Sequence, residues 1–181
     1  MLNDTPQWVA IYTHSRAEKK IDQTLQAAGY KTYLPLQHTR RQWSDRWKDI
    51  EVPLIPSYTF AKIKASDVVP VRNTAGVVRI VSWHGKPAII PEKEIYAIKK
   101  LMDAKAEVHV KNNELLKLGA KVRILEGPFV NMEGMLISDC EDGNFCVSIT
   151  GLDFALVTTI EQSILVPVEE DPDEQKGLWE E

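Results

Sequence analysis

The sequence predicts an α+β protein: a front region of strands and helices, then a small β-barrel. Three observations carry this. Residues 1–102 read as strand, helix, strand and hairpin, closing on a further helix. From residue 118 onward the chain breaks into short β-branched runs punctuated by turn residues. The charge divides with the texture: residues 1–102 hold 16 Lys+Arg against 9 Asp+Glu, and residues 103–181 hold 6 against 17, so +7 and −11 sum to −4. A basic front and an acidic back point to two domains with different partners, only the front suited to a polyanion.

Taken in order, Trp8–Thr13 is β-rich and reads as a strand. Ser15 with Glu18 three residues on has the form of a capping box, and Ile21, Leu25 and Ala28 follow at helical spacing, with Gly29 as the stop. Tyr30–Leu36 reads as a second strand. His38–Trp43 and Trp47–Val52, either side of Ser44-Asp45-Arg46, form an extended hairpin rich in Arg and Trp. Tyr58–Lys64 alternates apolar and polar, as a strand with one buried face does. A short helix over 66–72 is expected to be broken by Pro70; Val77–Val81 is a strand, and Gly85-Lys86-Pro87 a turn. Pro91 opens a helix whose acids, Glu92 and Glu94, and late cations, Lys99 and Lys100, suit the helix dipole. Residues 103–116 are expected to be a linker. Strands are expected at Lys121–Leu125, Gly134–Ser138, Phe145–Thr150, Leu156–Ile160 and Ile164–Val168. The acidic end, 169–181, has no apolar periodicity and is expected to be disordered.

Several function classes fall away. No apolar run approaches the roughly 18 residues that cross a bilayer. Met1-Leu2-Asn3-Asp4-Thr5-Pro6 has neither a basic start nor an apolar stretch, so no signal peptide and a cytoplasmic location are expected. Two cysteines, Cys140 and Cys146, without nearby histidines make neither a disulfide in that compartment nor a four-ligand zinc site. His14, His38, His84 and His109 are scattered, and Gly127-Pro128 runs into Phe129 rather than a phosphate loop. A binding protein is expected, not an enzyme, with no cofactor and no metal.

Trp8-Val9, Arg16-Ala-Glu-Lys-Lys20, Tyr33-Leu-Pro35, Ile55-Pro-Ser-Tyr58, Val71–Val77, Gly85-Lys-Pro87 and Glu94-Ile95 occur in an order that resembles the N-terminal domain of the NusG family. Gly119–Gly134 resembles the KOW motif that opens that family's C-terminal domain. The resemblance covers all but the acidic tail. It implies an antiparallel sheet flanked by helices over 1–102, then an SH3-like barrel over 117–168. The barrel is expected as strands, although one branch of the family stores this domain as helices. In the KOW stretch Gly127, Pro128, Phe129 and Gly134 are the candidate signature residues, the two glycines bracketing a hairpin that needs positive φ or close packing.

The resemblance also implies partners. Trp8, Tyr12, Tyr58 and Phe60 lie on strands the family places side by side, a surface that by similarity grips the clamp helices of the largest RNA polymerase subunit. The plain alternative is a sheet face buried as core. Arg40, Arg41, Trp43, Arg46 and Lys48 combine phosphate-seeking charge with stacking rings, the composition of a nucleic-acid contact, here the DNA of the elongation complex. The alternative is a solvated hairpin with Trp43 and Trp47 packed across strands. Family members often have Pro-Gly-Tyr where this chain has Pro56-Ser57-Tyr58. They continue with Phe-Gly where it has Thr150-Gly151, the place where the family's barrel meets the termination factor Rho or a ribosomal protein. These departures are similar to UpxY-type factors, which antiterminate long capsular-polysaccharide operons. The expected function is a monomeric elongation and antitermination factor for one such operon. A housekeeping NusG and a ribosome- or RNA-associated KOW module are the alternatives.

Overall fold

The structure, a computed structural model, describes residues 2–42, 46–112, 118–137, 144–148, 152, 154–160 and 162–168. It is α+β, and the described residues divide into two compact units, the first holding residues up to Asp103 together with Leu152 and the second the remainder from Ala104 onward. The first unit contains β1 (Gln7–Thr13), α1 (Glu18–Ala27), β2 (Lys31–Tyr33), β3 (Leu36–Gln42), β4 (Trp47–Pro53), β5 (Tyr58–Ile63), α2 (Val68–Arg72), β6 (Val77–Ile80), β7 (Ser82–Trp83), β8 (Lys86–Pro87), β9 (Ile89–Ile90) and α3 (Glu92–Asp103). Its five-stranded antiparallel sheet runs β2-β5-β1-β6, with β9 also on β1.

Alternation along β1 and β5 sends side chains to both faces. One face forms a core of Val9, Ile11, Ala61, Ile63 and Ile80 with Ile21 and Leu25 of α1 and Val71 of α2. α1 ends as its sequence requires: Gly29 takes φ +87, its N–H donates to the Gln26 carbonyl, and Tyr30 N–H donates to the Leu25 carbonyl at 3.0 Å. This is a Schellman stop, which needs a residue free to adopt positive φ.

Three local expectations are corrected. Ser15 does not cap α1: the N-cap is Ala17, with no side-chain hydrogen bond. Glu18 is instead drawn into the fold, where its Oε1 accepts from Ser57 N–H at 2.7 Å. Pro70 does not break α2, because it falls in the first turn, where a missing N–H costs no intrahelical bond. The Tyr30–Leu36 strand is two strands, β2 and β3, interrupted at Leu34-Pro35.

The second unit contains β10 (His109–Asn112), β11 (Leu118–Ile124), β12 (Glu133–Ile137), β13 (Asn144–Ser148), β14 (Phe154–Thr159) and β15 (Leu165–Pro167). They form one antiparallel sheet in the order β10-β14-β13-β12-β11-β15. The region is strand, as its β-branched runs predict. Residues 109–112 depart from the expected linker: they pair with β14 from His109↔Val157 to Asn112↔Phe154. An open strand edge leaves N–H and C=O groups unpaired, and the alternating Val108-His109-Val110-Lys111 segment satisfies them. A core of Ile137, Cys146, Ala155 and Val157 lies on this sheet. Burial raises the Cys146 thiol pKa, as expected of an inert core cysteine. Cys140 and the tail lie outside the described residues.

Candidate functional site

The second face of the first sheet is aromatic. Register places Tyr12 opposite Tyr58 and Ala10 opposite Phe60, so Trp8, Ala10, Tyr12, Tyr58 and Phe60 share this face. Tyr33 joins them from β2, directly opposite Phe60, with ring centroids 6.4 Å apart. α3 lies against one end of it. Lys99 Nζ stands 5.9 Å from the Trp8 ring centroid and 5.0 Å from that of Tyr33, and Glu92 holds Lys62 through hydrogen bonds of 3.1 and 3.3 Å. Those bonds keep the Glu92 carboxyl below its ordinary pKa. Burial, seconded by the Asp103 charge, pushes the Tyr33 hydroxyl well above its ordinary value.

The covering decides which aromatics are open. Trp8 is 2% exposed and Phe60 0%, so the expectation of an exposed row is corrected for these two. The reason is tertiary: the sheet alternation puts all four on one face, and α3 adds a second layer over part of it. Tyr12 and Tyr58 stay half-buried, their rings 5.1 Å apart and tilted by 54°. Arg79 on β6 sits opposite Tyr12 in register, with Cζ 5.7 Å from the Tyr12 ring centroid. A row Tyr58–Tyr12–Arg79 therefore crosses three adjacent strands. Arg79 was not among the expected site residues. The signal was the alternation of Val77-Val78-Arg79-Ile80, which puts a cation on an otherwise apolar strand.

The Ser57 turn carries Tyr58 into this row. Ser57 has φ +65, a region that favours glycine, and the Glu18 carboxylate holds its N–H. A serine at the position where glycine is the easier residue is thus supported by a part-buried bond from α1.

The basic hairpin is β3–β4. Its register sets Arg40 opposite Asp49, Arg41 opposite Lys48 and Gln42 opposite Trp47. Arg40 and Trp47 therefore occupy one face and positions 41 and 48 the other. Position 41 faces position 48 across the hairpin. Arg40 Nε lies 3.9 Å from Asp49 Oδ1, and its Cζ 5.6 Å from the Trp47 ring centroid. Trp47 is 56% exposed, and Arg46 and Lys48 are exposed. Trp43 lies outside the described residues.

In the second unit the β11–β12 connection is closed by Asn131 N–H donating to the Ile124 carbonyl at 2.8 Å and Met132 N–H to the Phe129 carbonyl at 2.9 Å. Gly127 takes φ +82, Pro128 is exposed and Phe129 is buried. Gly134 packs under the Phe145 ring and the Cys146 carbonyl. Thr150 and Gly151 lie outside the described residues. Among the described residues no group of His, Cys, Asp and Glu could hold a metal ion. No helix among them is long and apolar enough to cross a membrane. What the site offers chemically is recognition: half-open rings, stacked guanidinium groups and a basic hairpin.

Residues 6–99, 94 of the 181, match the family described as "Transcription termination factor nusG". The chain is 27% identical over 152 residues to the "Transcription termination/antitermination protein NusG" of Rickettsia typhi, covering 73% of this chain and 74% of that protein. It is 24% identical over 170 residues to the protein of that name from Staphylococcus aureus strain Mu50, covering 86% and 91%. A solved structure titled "Domain interaction in Thermotoga maritima NusG" shares the fold, with a TM-score of 0.50 and 20% identity over 91% of this chain and 98% of that one. With its sheet, its hairpin and this match over more than half its length, the chain belongs to the NusG family of transcription factors.

Proposed function

We propose that this protein is an elongation and antitermination factor that grips RNA polymerase through the Tyr58–Tyr12–Arg79 row and acts by binding alone. The row itself carries the proposal: two half-open rings and a guanidinium stacked on one of them, on a rigid sheet. Such groups lose little rotamer entropy on contact and suit a helix laid across a shallow groove, as the polymerase clamp helices would be. The basic β3–β4 hairpin faces the DNA of the elongation complex. The second unit engages a further partner, a ribosomal protein or another regulator, and tethering raises that partner's effective concentration at the polymerase. The names of the Rickettsia and Staphylococcus relatives support the transcriptional reading.

Within that role, service to one dedicated operon, such as one for polysaccharide biosynthesis, is supported by Thr150-Gly151 in place of Phe-Gly and by the acidic back region. Loss of a buried ring removes a typical anchor for Rho. A factor that aids the polymerase without recruiting Rho acts as an antiterminator.

The test is binding of the full chain to an isolated clamp-helix fragment. Tyr58→Ala and Tyr12→Ala are each expected to weaken it by about ten-fold or more while leaving the melting temperature close to the parent's. Phe60→Ala is the wrong probe, because emptying a fully buried Phe costs about 3–5 kcal/mol of fold stability by itself. Unchanged affinity in both tyrosine variants would sink the polymerase contact.

A further inference from the structure

The tyrosine pair stands at the end of its ladder. Tyr12↔Tyr58 is the last pair of the β1–β5 register, and β1 shifts register against β6 just beyond it, between Tyr12 and Thr13. The place of the Tyr58 ring therefore leans on the turn that feeds β5. That turn is Ile55-Pro56-Ser57-Tyr58, closed by Tyr58 N–H donating to the Ile55 carbonyl at 3.3 Å, with Pro56 second and Ser57 third at φ +65. This is the form of a type II turn, whose third residue is ordinarily glycine because a side chain is strained there.

Two bonds hold Ser57 in that backbone. Its carbonyl accepts from Thr13 N–H at 2.9 Å, a bond between main chains that any residue at 57 could make. Its N–H donates to Glu18 Oε1 at 2.7 Å, and this bond depends on one side chain 39 positions away. Glu18 is the first residue of α1 and only 5% exposed although it is charged. A buried carboxylate is unfavourable unless it is hydrogen-bonded, and a charge-assisted bond of this length is among the stronger kinds. Ile21 and Leu25 bury α1 in the sheet core, so the helix that carries Glu18 is itself fixed. A fixed helix thus reaches a strained turn, and the turn carries the ring.

We propose that Glu18 is a positioning residue for polymerase binding: it holds Ser57 at positive φ and so keeps Tyr58 beside Tyr12, coupling α1 to the binding row. This rests on the reading that the row contacts the polymerase, and it adds a residue outside the row on which that contact depends. Without the carboxylate the turn relaxes toward negative φ. The fraction of molecules with the row assembled then falls, and apparent affinity falls in proportion. Glycine at 57 carries no such strain, so it removes the need for Glu18.

The experiment measures binding of the full chain to the isolated clamp-helix fragment. In the free protein, NMR contacts between the Tyr12 and Tyr58 rings, 5.1 Å apart between centroids, are read beside it. Glu18→Ala is expected to weaken binding by about five- to thirty-fold, the factor that matches the left-handed penalty of a non-glycine residue, and to lose the ring contacts. Glu18→Gln keeps an oxygen for the Ser57 N–H and is expected to bind more tightly than Glu18→Ala. Adding Ser57→Gly to Glu18→Ala is expected to restore both affinity and ring contacts. Glu18→Asp, which keeps the charge and withdraws it by one methylene, gives the same comparison if Glu18→Ala does not fold. Parental affinity in the Ala and Asp variants overturns the proposal, as does a Gln variant no better than Ala, or a loss that Ser57→Gly leaves unrepaired. Tyr58→Ala, measured in parallel, separates the two readings. If it loses binding while the Glu18 variants do not, the row stands and the positioning role falls. If it binds like the parent, both fall.

Discussion

At the scale of single residues, the two KOW glycines do different work. Gly127 has open space around the position of a Cβ, and its φ of +82 is the constraint. At Gly134 φ is not positive, but a Cβ would strike the Cys146 carbonyl oxygen and come within 2.6 Å of Phe145 Cε2. A backbone oxygen and a ring buried at 0% exposure cannot move aside cheaply. Gly134→Ala is therefore expected to destabilise the protein by more than about 2 kcal/mol, and Gly127→Ala by about 1 kcal/mol. Urea unfolding of both variants checks the order, and a Gly127 variant that proves the weaker of the two would refute this account. Glu18 shows the same logic on the polar side: a carboxylate that suits a helix start is used instead to hold the strained Ser57 N–H.

The element whose behaviour is least like a core is the β3–β4 hairpin. Residues from Arg40 to Asp49 that have a described burial are all exposed, so its long side chains exchange little apolar area for order. Arg40 is already shared between Asp49 and Trp47, so its loss alone is expected to matter less than loss of the set. Changing Arg40, Arg41 and Arg46 to Gln is expected to lower affinity for the DNA-containing elongation complex. The slope of log affinity against log salt should fall by roughly one for each phosphate contact removed. Binding to the isolated clamp helices should not change. A salt slope equal to the parent's would leave the hairpin as a solvated ribbon.

Across the whole molecule the charge asymmetry is the guide. A +7 front and a −11 back are poorly suited to a single polyanion, and the back region disfavours the alternative of an RNA-binding KOW module. A factor dedicated to one operon makes a distinct prediction from a housekeeping one. Deleting its gene is expected to reduce downstream reads in one long operon while growth and termination elsewhere stay normal. Transcript profiling of the deletion strain decides: lethality, or altered termination across the genome, would establish the housekeeping reading.

Patterns of short range were legible in the chain itself. Strand periodicity at Trp8–Thr13 and Tyr58–Lys64, the Gly29 stop, the α3 charges and the β-branched runs of the second unit depend on residues within a turn or a strand of one another. Their strands and helices followed, with ends shifted by a residue or a few. Alternation within a strand groups Trp8 with Tyr12 and Tyr58 with Phe60; that the two pairs share one side was implied by the family resemblance and is set by the β1–β5 register. Which of them stays open was not legible, because that depends on α3, some thirty residues or more further along the chain, covering the Trp8 end and leaving the Tyr12 end. The separation of Arg40 from Arg41 depends on hairpin register, the partner of Glu18 on a turn brought close by the sheet, and the strand at 109–112 on an open edge of β14. Local sequence sets which faces exist; burial, register and edge pairing are energies between segments far apart in the chain, and only the folded structure brings those segments together.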